Sequence, residues 1–205
     1  MIYKVVRFLL RCIFGSLFRL RVEGQDNIPS GGGVIVAPNH VSYADPPLIG
    51  AAAKRPVCFM AKESLFSFPP FAWLIRNLNA FPVKRGENDI DAFRKTLRLL
   101  EAGKIVTIFP EGRRGDGRKA LEPRAGVGMI ACLAGVPVVP VLIVNSGKMN
   151  RMKRLTVRFG KPLHYPDRQK REREDYVSFS ERVMNGILVM DREGMYEKGW
   201  AENST

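Results

Sequence analysis

Val34-Ile35-Val36-Ala37-Pro38-Asn39-His40-Val41-Ser42-Tyr43-Ala44-Asp45-Pro46-Pro47 is the stretch on which the fold turns. It opens on a short β-branched run after the triple glycine Gly31-Gly32-Gly33, which reads as a buried strand. A polar loop follows from Pro38. Pro46 to Ala53 then reads as a helix, with Asp45 as its N-cap and Pro46 at the first helical position.

The same alternation continues outward. Val57 to Met60 and Ala80 to Val83 read as short strands, and Ile105 to Phe109 as another buried one. Asn88 to Ala102 reads as a helix with Phe93, Thr96, Leu97 and Leu100 on its inner stripe. Asp89 and Asp91 open it and Gly103 stops it. Arg124 to Leu133 reads as a helix and Val138 to Val144 as a strand. Leu155-Thr156-Val157-Arg158-Phe159 alternates like an edge strand. In the last helix Tyr176, Phe179, Val183 and Ile187 recur at spacings of three and four. The predicted class is α/β: a mostly parallel central sheet with helices on both faces, plus an N-terminal amphipathic helix. Ligands in such sheets gather at the carboxyl ends of strands, so the loops from Pro38, Lys84 and Pro110 are where chemistry is expected.

The chain has 205 residues, 45% of them hydrophobic and 26% charged, which excludes a fully disordered protein. Its net charge of +13 predicts an anionic partner. The surplus is uneven. Residues 1–24 carry +4 and residues 151–173 carry +7, leaving +2 for the rest. Cys12, Cys58 and Cys132 have no disulfide or zinc spacing, which favours a reducing compartment. His40 and His164 are the two histidines, too few for a His-rich metal site, and His164 beside Tyr165 and Pro166 reads as a loop residue.

Residues 1–20, MIYKVVRFLLRCIFGSLFRL, are too interrupted by charge for a spanning helix and match a signal peptide poorly. Lys4, Arg7 and Arg11 share one helical face, and Val5, Leu9, Leu10, Ile13, Phe14, Leu17 and Phe18 cover most of the rest. That suits a helix lying in the interface of an anionic bilayer. The alternative is a helix packed on its own protein. The expected division is residues 1–20 as this interfacial helix and residues 21–205 as the functional domain.

In the first loop, His40 and Asp45 are five residues apart. A carboxylate at that place can hold one imidazole tautomer and stabilise the imidazolium formed during general-base catalysis. Alone, the pair is a weak signal. In the third loop, Phe109-Pro110-Glu111-Gly112-Arg113-Arg114-Gly115, the glycines allow close backbone approach and the arginines suit phosphate oxygens. An ordinary solvated turn has the same composition. Arg85 stands at the end of Phe81-Pro82-Val83-Lys84-Arg85, and Val139-Pro140-Val141 has no chemistry of its own.

Taken in order, these pieces resemble the four sequence blocks of the glycerolipid acyltransferases, particularly the 1-acylglycerol-3-phosphate acyltransferases. Asn39-His40 with Asp45 is similar to the His-x-x-x-x-Asp block, and Arg85 closes a stretch like the second. Phe109-Pro110-Glu111-Gly112 with Arg114 resembles the third, and Val139-Pro140-Val141 the fourth. The likeness runs from about Val22 to about Pro162 and includes Arg124-Ala125-Gly126. Four blocks in order are a specific signal.

The resemblance implies a cofactor-free transfer of an acyl group from acyl-CoA or acyl-carrier protein to the free hydroxyl of a lysophospholipid. By that likeness His40 is the base, Asp45 orients it, and Arg85, Glu111, Gly112 and Arg114 hold the glycerol phosphate of lysophosphatidic acid. Arg113 and Arg124 are further candidates for substrate binding. It also implies a peripheral or monotopic position on the cytoplasmic face of an anionic membrane. The family usually has Thr or Ser where this chain has Arg113, which leaves open another acceptor, glycerol 3-phosphate or a lyso-aminolipid. A nucleic-acid-binding protein is the rival from another class. The basic segments lack interleaved aromatics, and no helix-turn-helix or zinc signature occurs, so no nucleic acid is expected. A serine hydrolase would need a Gly-x-Ser-x-Gly elbow, which is absent.

Overall fold

The β-branched run at Val34–Pro38 forms strand β2, and all five of its residues are buried. Its side chains alternate between two cores: Val34 and Val36 face one, Ile35 and Ala37 the other. This two-sided burial explains why the run carries no polar residue. The computed structural model describes residues 2–84, 89–166 and 172–196.

The other strands are β1 (Arg21–Glu23), β3 (Val57–Lys62), β4 (Ala80–Val83), β5 (Ile105–Thr107), β6 (Val138–Val144) and β7 (Thr156–Phe159). They form one sheet in the order β1-β7-β6-β2-β5-β3-β4. Strands β6, β2, β5, β3 and β4 are parallel, β7 is antiparallel to β6, and β1 is parallel to β7. Helices α1 (Ile2–Phe18) and α2 (Asp45–Ala52) cover one face with Phe14, Phe18, Leu48 and Ile49. Helices α4 (Ile90–Glu101), α5 (Gly126–Ala134) and α6 (Arg173–Leu188) cover the other with Leu100, Val127, Ile130, Phe179 and Val183. Between β3 and β4 lie a 3₁₀ turn, Glu63–Phe66, and a short helix α3, Pro69–Asn77. The predicted class holds, and Asp89 caps α4 by accepting from the Ala92 amide at 2.9 Å.

Two features tighten the centre. Gly33 enters β2 so close to the end of α4 that a Cβ there would meet the Leu100 carbonyl oxygen at 2.2 Å. Pro140 lies in a central strand, a place prolines usually avoid. The amides of Ile35 and Asn39 bond Pro137 and Val141, so odd-numbered β6 residues serve β2. The missing N–H of Pro140 falls on the β7 side, next to Val141↔Phe159 and outside the paired register. Its ring packs where Gly160 and Gly186 leave room.

Three expectations change. Thr156–Phe159 is not an edge strand, because β1 lies outside it and all four residues are buried. Its polar Arg158 survives burial by pairing with Glu23 at 2.9 Å and with Glu193 at 2.6 Å, so it leaves the surface charge of the 151–173 segment. Residues 167–171 of that segment lie outside the described residues. Asp45 does not cap its helix: it is the first helical residue, and the following prolines have no amides to cap. Arg7 is not on a free basic face either. Its guanidinium bonds the carbonyls of Ala53 and Lys54 just past α2, while Tyr3 accepts from the Val57 amide at 3.0 Å.

The three cysteines are unpaired, with Cys58 buried and Cys12 exposed. His164 is an exposed loop residue after the Val138↔Leu163 bridge.

Candidate active site

The carboxyl ends of β2, β5, β3, β4 and β6 share one edge of the sheet, since the strands are parallel. The loop from β2 to α2 leaves from that edge. Asn39 fixes its start: its side-chain oxygen accepts from the Ile143 amide at 2.7 Å and its side-chain nitrogen donates to the Ile143 carbonyl at 3.1 Å. A buried amide thus continues the β2–β6 pairing beyond the last strand residue.

His40 follows and is turned back onto Asp45, with Nδ1 2.8 Å from Oδ2. The same oxygen accepts from the backbone amides of Val41 and Ser42, each at 2.8 Å. Three donors converge on one oxygen of a side chain that is 0% exposed. The loop is therefore wrapped around the carboxylate, which is the work Asp45 does in place of capping. With Nδ1–H given to Asp45, Nε2 carries the lone pair. The Phe109 ring stacks on the imidazole at 3.9 Å between centroids and 22° between planes, fixing the ring from its face.

The loop after β5 clamps His40 through its backbone. Glu111 Oε1 accepts from the His40 amide at 3.0 Å, and the Gly115 amide donates to the His40 carbonyl at 2.8 Å. Glu111 is 2% exposed, and its other oxygen accepts from Leu121 at 3.4 Å. Its carboxylate is thus directed at the His40–Asp45 loop and not outward to an anion. Gly112 is in the left-handed region at φ +66°, and a Cβ there would strike the Arg124 side chain at 2.9 Å. The stem of Arg124 therefore lies across Gly112. Arg114 stacks over the Tyr43 ring at 3.5 Å, bridging this loop to the His40–Asp45 loop. Arg113, Arg114 and Arg124 are exposed, and none forms an ion pair among the described residues. Arg85 lies outside the described residues. Lys84, just before it, follows β4 at the same edge and donates its amide to Asp89 at 2.7 Å.

Sequence reasoning assigned no role to Phe109, Tyr43 or Asn39. The signal for Phe109 was an aromatic residue standing at a strand end before Pro-Glu-Gly. Tyr196 was not legible at all. It comes from the C-terminal segment and is buried against Leu142, Val144, Met184 and Ile187. Burial, and then repulsion from Glu111, hold its phenol above the usual range.

Burial also pushes the Glu111 carboxyl up to about 7, against the opposing pull of the His40 and Leu121 amides, with Asp45 adding to the rise. The folded value is above the unfolded one near 4.5, so the folded state holds this proton more tightly. Stability is then fully present at low pH, falls as pH rises through about 4.5 to about 7, and levels off above. The contribution is on the order of 3 kcal/mol. Chemical denaturation of wild type and Glu111→Gln across that window is expected to show a flatter pH slope in the variant. Parallel slopes would mean another group titrates.

The model of the acyltransferase family matches residues 19–144. The 1-acyl-sn-glycerol-3-phosphate acyltransferase of Bacillus subtilis is 28% identical over 169 residues, spanning 80% of this chain and 84% of that protein. The lyso-ornithine lipid O-acyltransferase of Pseudomonas aeruginosa is 34% identical over 142 residues, 68% of this chain and 53% of that protein. The crystal structure of the 1-acyl-sn-glycerophosphate acyltransferase of Thermotoga maritima aligns with a TM-score of 0.75 at 29% identity, covering 93% of this chain and 80% of that one. Against a longer chloroplastic relative from Arabidopsis thaliana, the chain spans 38% of that protein's length.

Proposed function

The chain belongs to the acyltransferase family, and from that premise we propose that it moves a fatty acyl group from acyl-CoA or acyl-carrier protein to the free hydroxyl of 1-acylglycerol 3-phosphate, giving phosphatidic acid. The observation that carries this reading is the buried His40–Asp45 pair, at 2.8 Å, on the same sheet edge as Arg113, Arg114 and Arg124. The Bacillus subtilis relative and the Thermotoga maritima structure bear the name of that acyltransferase.

In the proposed mechanism His40 Nε2 takes the proton of the acceptor hydroxyl. The oxygen attacks the thioester carbonyl, the carbon–sulfur bond breaks, and the imidazolium returns its proton to the departing thiolate. Asp45 holds the ring and stabilises the charge that it carries between those two steps. Glu111 and Gly115 act through the backbone of His40, as positioning residues. Arg114, with Arg113, Arg124 and Arg85, holds the acceptor's anionic group, which places the hydroxyl against the base. A thioester is already activated, so the proposed transfer needs no metal or other cofactor.

The proposal puts the protein on a membrane surface. Helix α1 packs Leu10, Phe14 and Phe18 on the body while leaving Val5, Phe8, Leu9, Ile13 and Leu17 46–66% exposed. The helix thus packs on its own protein by one face, and the apolar side chains left open on the other support the interfacial reading. No helix of the described residues is long and apolar enough to cross a membrane. Acyl-CoA and acyl-carrier protein are cytoplasmic donors, so the surface proposed is the cytoplasmic one.

A second reading is acyl transfer to a lyso-aminolipid. It is favoured by the lyso-ornithine lipid relative and by Arg113 in the position of the family's usual Thr or Ser. The test separates the anionic group from the chemistry. Arg114→Ala is expected to raise KM for lysophosphatidic acid about tenfold or more with a smaller change in kcat. An unchanged KM in both Arg114→Ala and Arg85→Ala would remove the phosphate assignment.

A further inference from the structure

Among the described residues, the segment after β3 exposes a cluster of apolar side chains outside α1. Leu65, Phe68, Phe71 and Trp73 are 41–64% exposed, and Ala72 is the one buried residue of α3. A segment that met only water would carry polar side chains at its exposed positions. Pro69 and Pro70 fix its first turn, so the aromatic side chains stand on a defined element and not on a slack loop.

Its position gives it meaning. Strand β3 is parallel to β5, and β5 to β2, so Lys62 ends β3 on the edge from which the His40 loop departs. Two strand spacings separate them, about 10 Å. On the other side of the loop, β6 ends at Val144 and leads into the 3₁₀ turn Ser146–Arg151. That turn backs onto the loop, because a Cβ on Gly147 would touch Val41 at 3.7 Å. Lys148, Arg151, Lys153 and Arg154 are all exposed there, with Met152 57% exposed among them. Helix α1 reaches the same edge, where the Phe18 carbonyl accepts from Leu155 just before β7.

We infer that this edge is a lipid-docking surface: Leu65, Phe68, Phe71 and Trp73 insert into an anionic bilayer on one side of His40, while Lys148, Arg151, Lys153 and Arg154 bind its headgroups on the other. Trp and Phe suit the boundary between headgroups and acyl chains, and exposed cations beside them match anionic lipid. The charge argues against a second copy, since each copy would bring its own exposed Lys148, Arg151, Lys153 and Arg154 to the contact. The inference rests on the reading that the acceptor is a membrane lipid. The acceptor's hydroxyl then meets His40 while its acyl chain stays in the bilayer.

The test uses the full chain with Trp200→Phe, which leaves Trp73 as the remaining tryptophan. On vesicles of equal parts phosphatidylcholine and phosphatidylglycerol, brominated acyl chains are expected to quench Trp73. The double variant Phe68→Ser with Phe71→Ser should lower vesicle partition about tenfold or more. It should keep transfer to a dispersed short-chain lysophosphatidic acid unchanged. Lys153→Glu with Arg154→Glu should weaken partition and flatten its salt dependence. Unquenched Trp73 in vesicle-bound protein would overturn the inference, as would unchanged partition in the double variant. So would a solution dimer that the double variant dissociates without any change on vesicles. If the wild type transfers to no lysophosphatidic acid at all, the proposed function fails, while quenching still judges the surface.

Discussion

His40→Ala is expected to lower kcat for acyl transfer about a thousandfold, within the usual range for losing a general base. The folded state should survive. The imidazole gives Asp45 one of three donors, and the amides of Val41 and Ser42 continue to hold the carboxylate at 2.8 Å. The variant loses the stacking on Phe109 and one buried hydrogen bond, a cost of about 1–2 kcal/mol. Circular dichroism and vesicle sedimentation should therefore match the wild type while turnover is lost. Turnover near wild type in a folded His40→Ala protein would remove the mechanism.

Asp45→Asn should be nearly as damaging, for a different reason. An amide oxygen can occupy the place of Oδ2 and accept from the same three donors, so ring orientation is kept. What disappears is the negative charge that stabilises the imidazolium while His40 carries the proton. A loss of about a hundredfold in kcat is expected. The amide nitrogen then occupies the site of Oδ1, which is buried and has no hydrogen-bond partner. An unpaired buried donor costs about 1–3 kcal/mol, so a lower melting temperature should accompany the lost activity. A residue that only folded the loop would give the lower melting temperature with kcat per folded molecule preserved, which is the outcome that would contradict a catalytic role.

The sheet was legible where burial is two-sided. Val34–Pro38 and Val138–Val144 have no polar face to hide, and their β-branched runs leave little choice of conformation. Reading failed where a distant partner decides. Thr156 and Arg158 looked like the wet side of an edge strand, yet Arg158 is buried by Glu23, 135 residues away, and by Glu193. Arg7 looked like membrane-facing charge and is bound to carbonyls past α2, 46 and 47 residues on. The segment from Glu63 to Asn77 drew no assignment, because its aromatic residues pack on little that a periodicity could reveal.

The candidate site was legible in parts. The spacing of His40 and Asp45 is local, and one tight loop brings them together. Glu111 was expected among the phosphate ligands because it stands beside Arg113 and Arg114. Its carboxylate instead turns inward to the His40 amide, 71 residues earlier in the chain. Adjacent residues on a tight turn point in different directions, and the left-handed Gly112 reverses the chain between Glu111 and the arginines. Motif order therefore identified the loop, while only geometry separates the residue that braces His40 from those left exposed.

The most direct test is acyl transfer measured as a matrix. The purified 205-residue chain is given acyl-CoA or acyl-carrier protein against lysophosphatidic acid, glycerol 3-phosphate and lyso-ornithine lipid, with products separated from released fatty acid. The predicted result is phosphatidic acid as the dominant product from at least one of the two donors, absent with His40→Ala. Free fatty acid alone, or efficient acylation of another acceptor with lysophosphatidic acid left untouched, would contradict it.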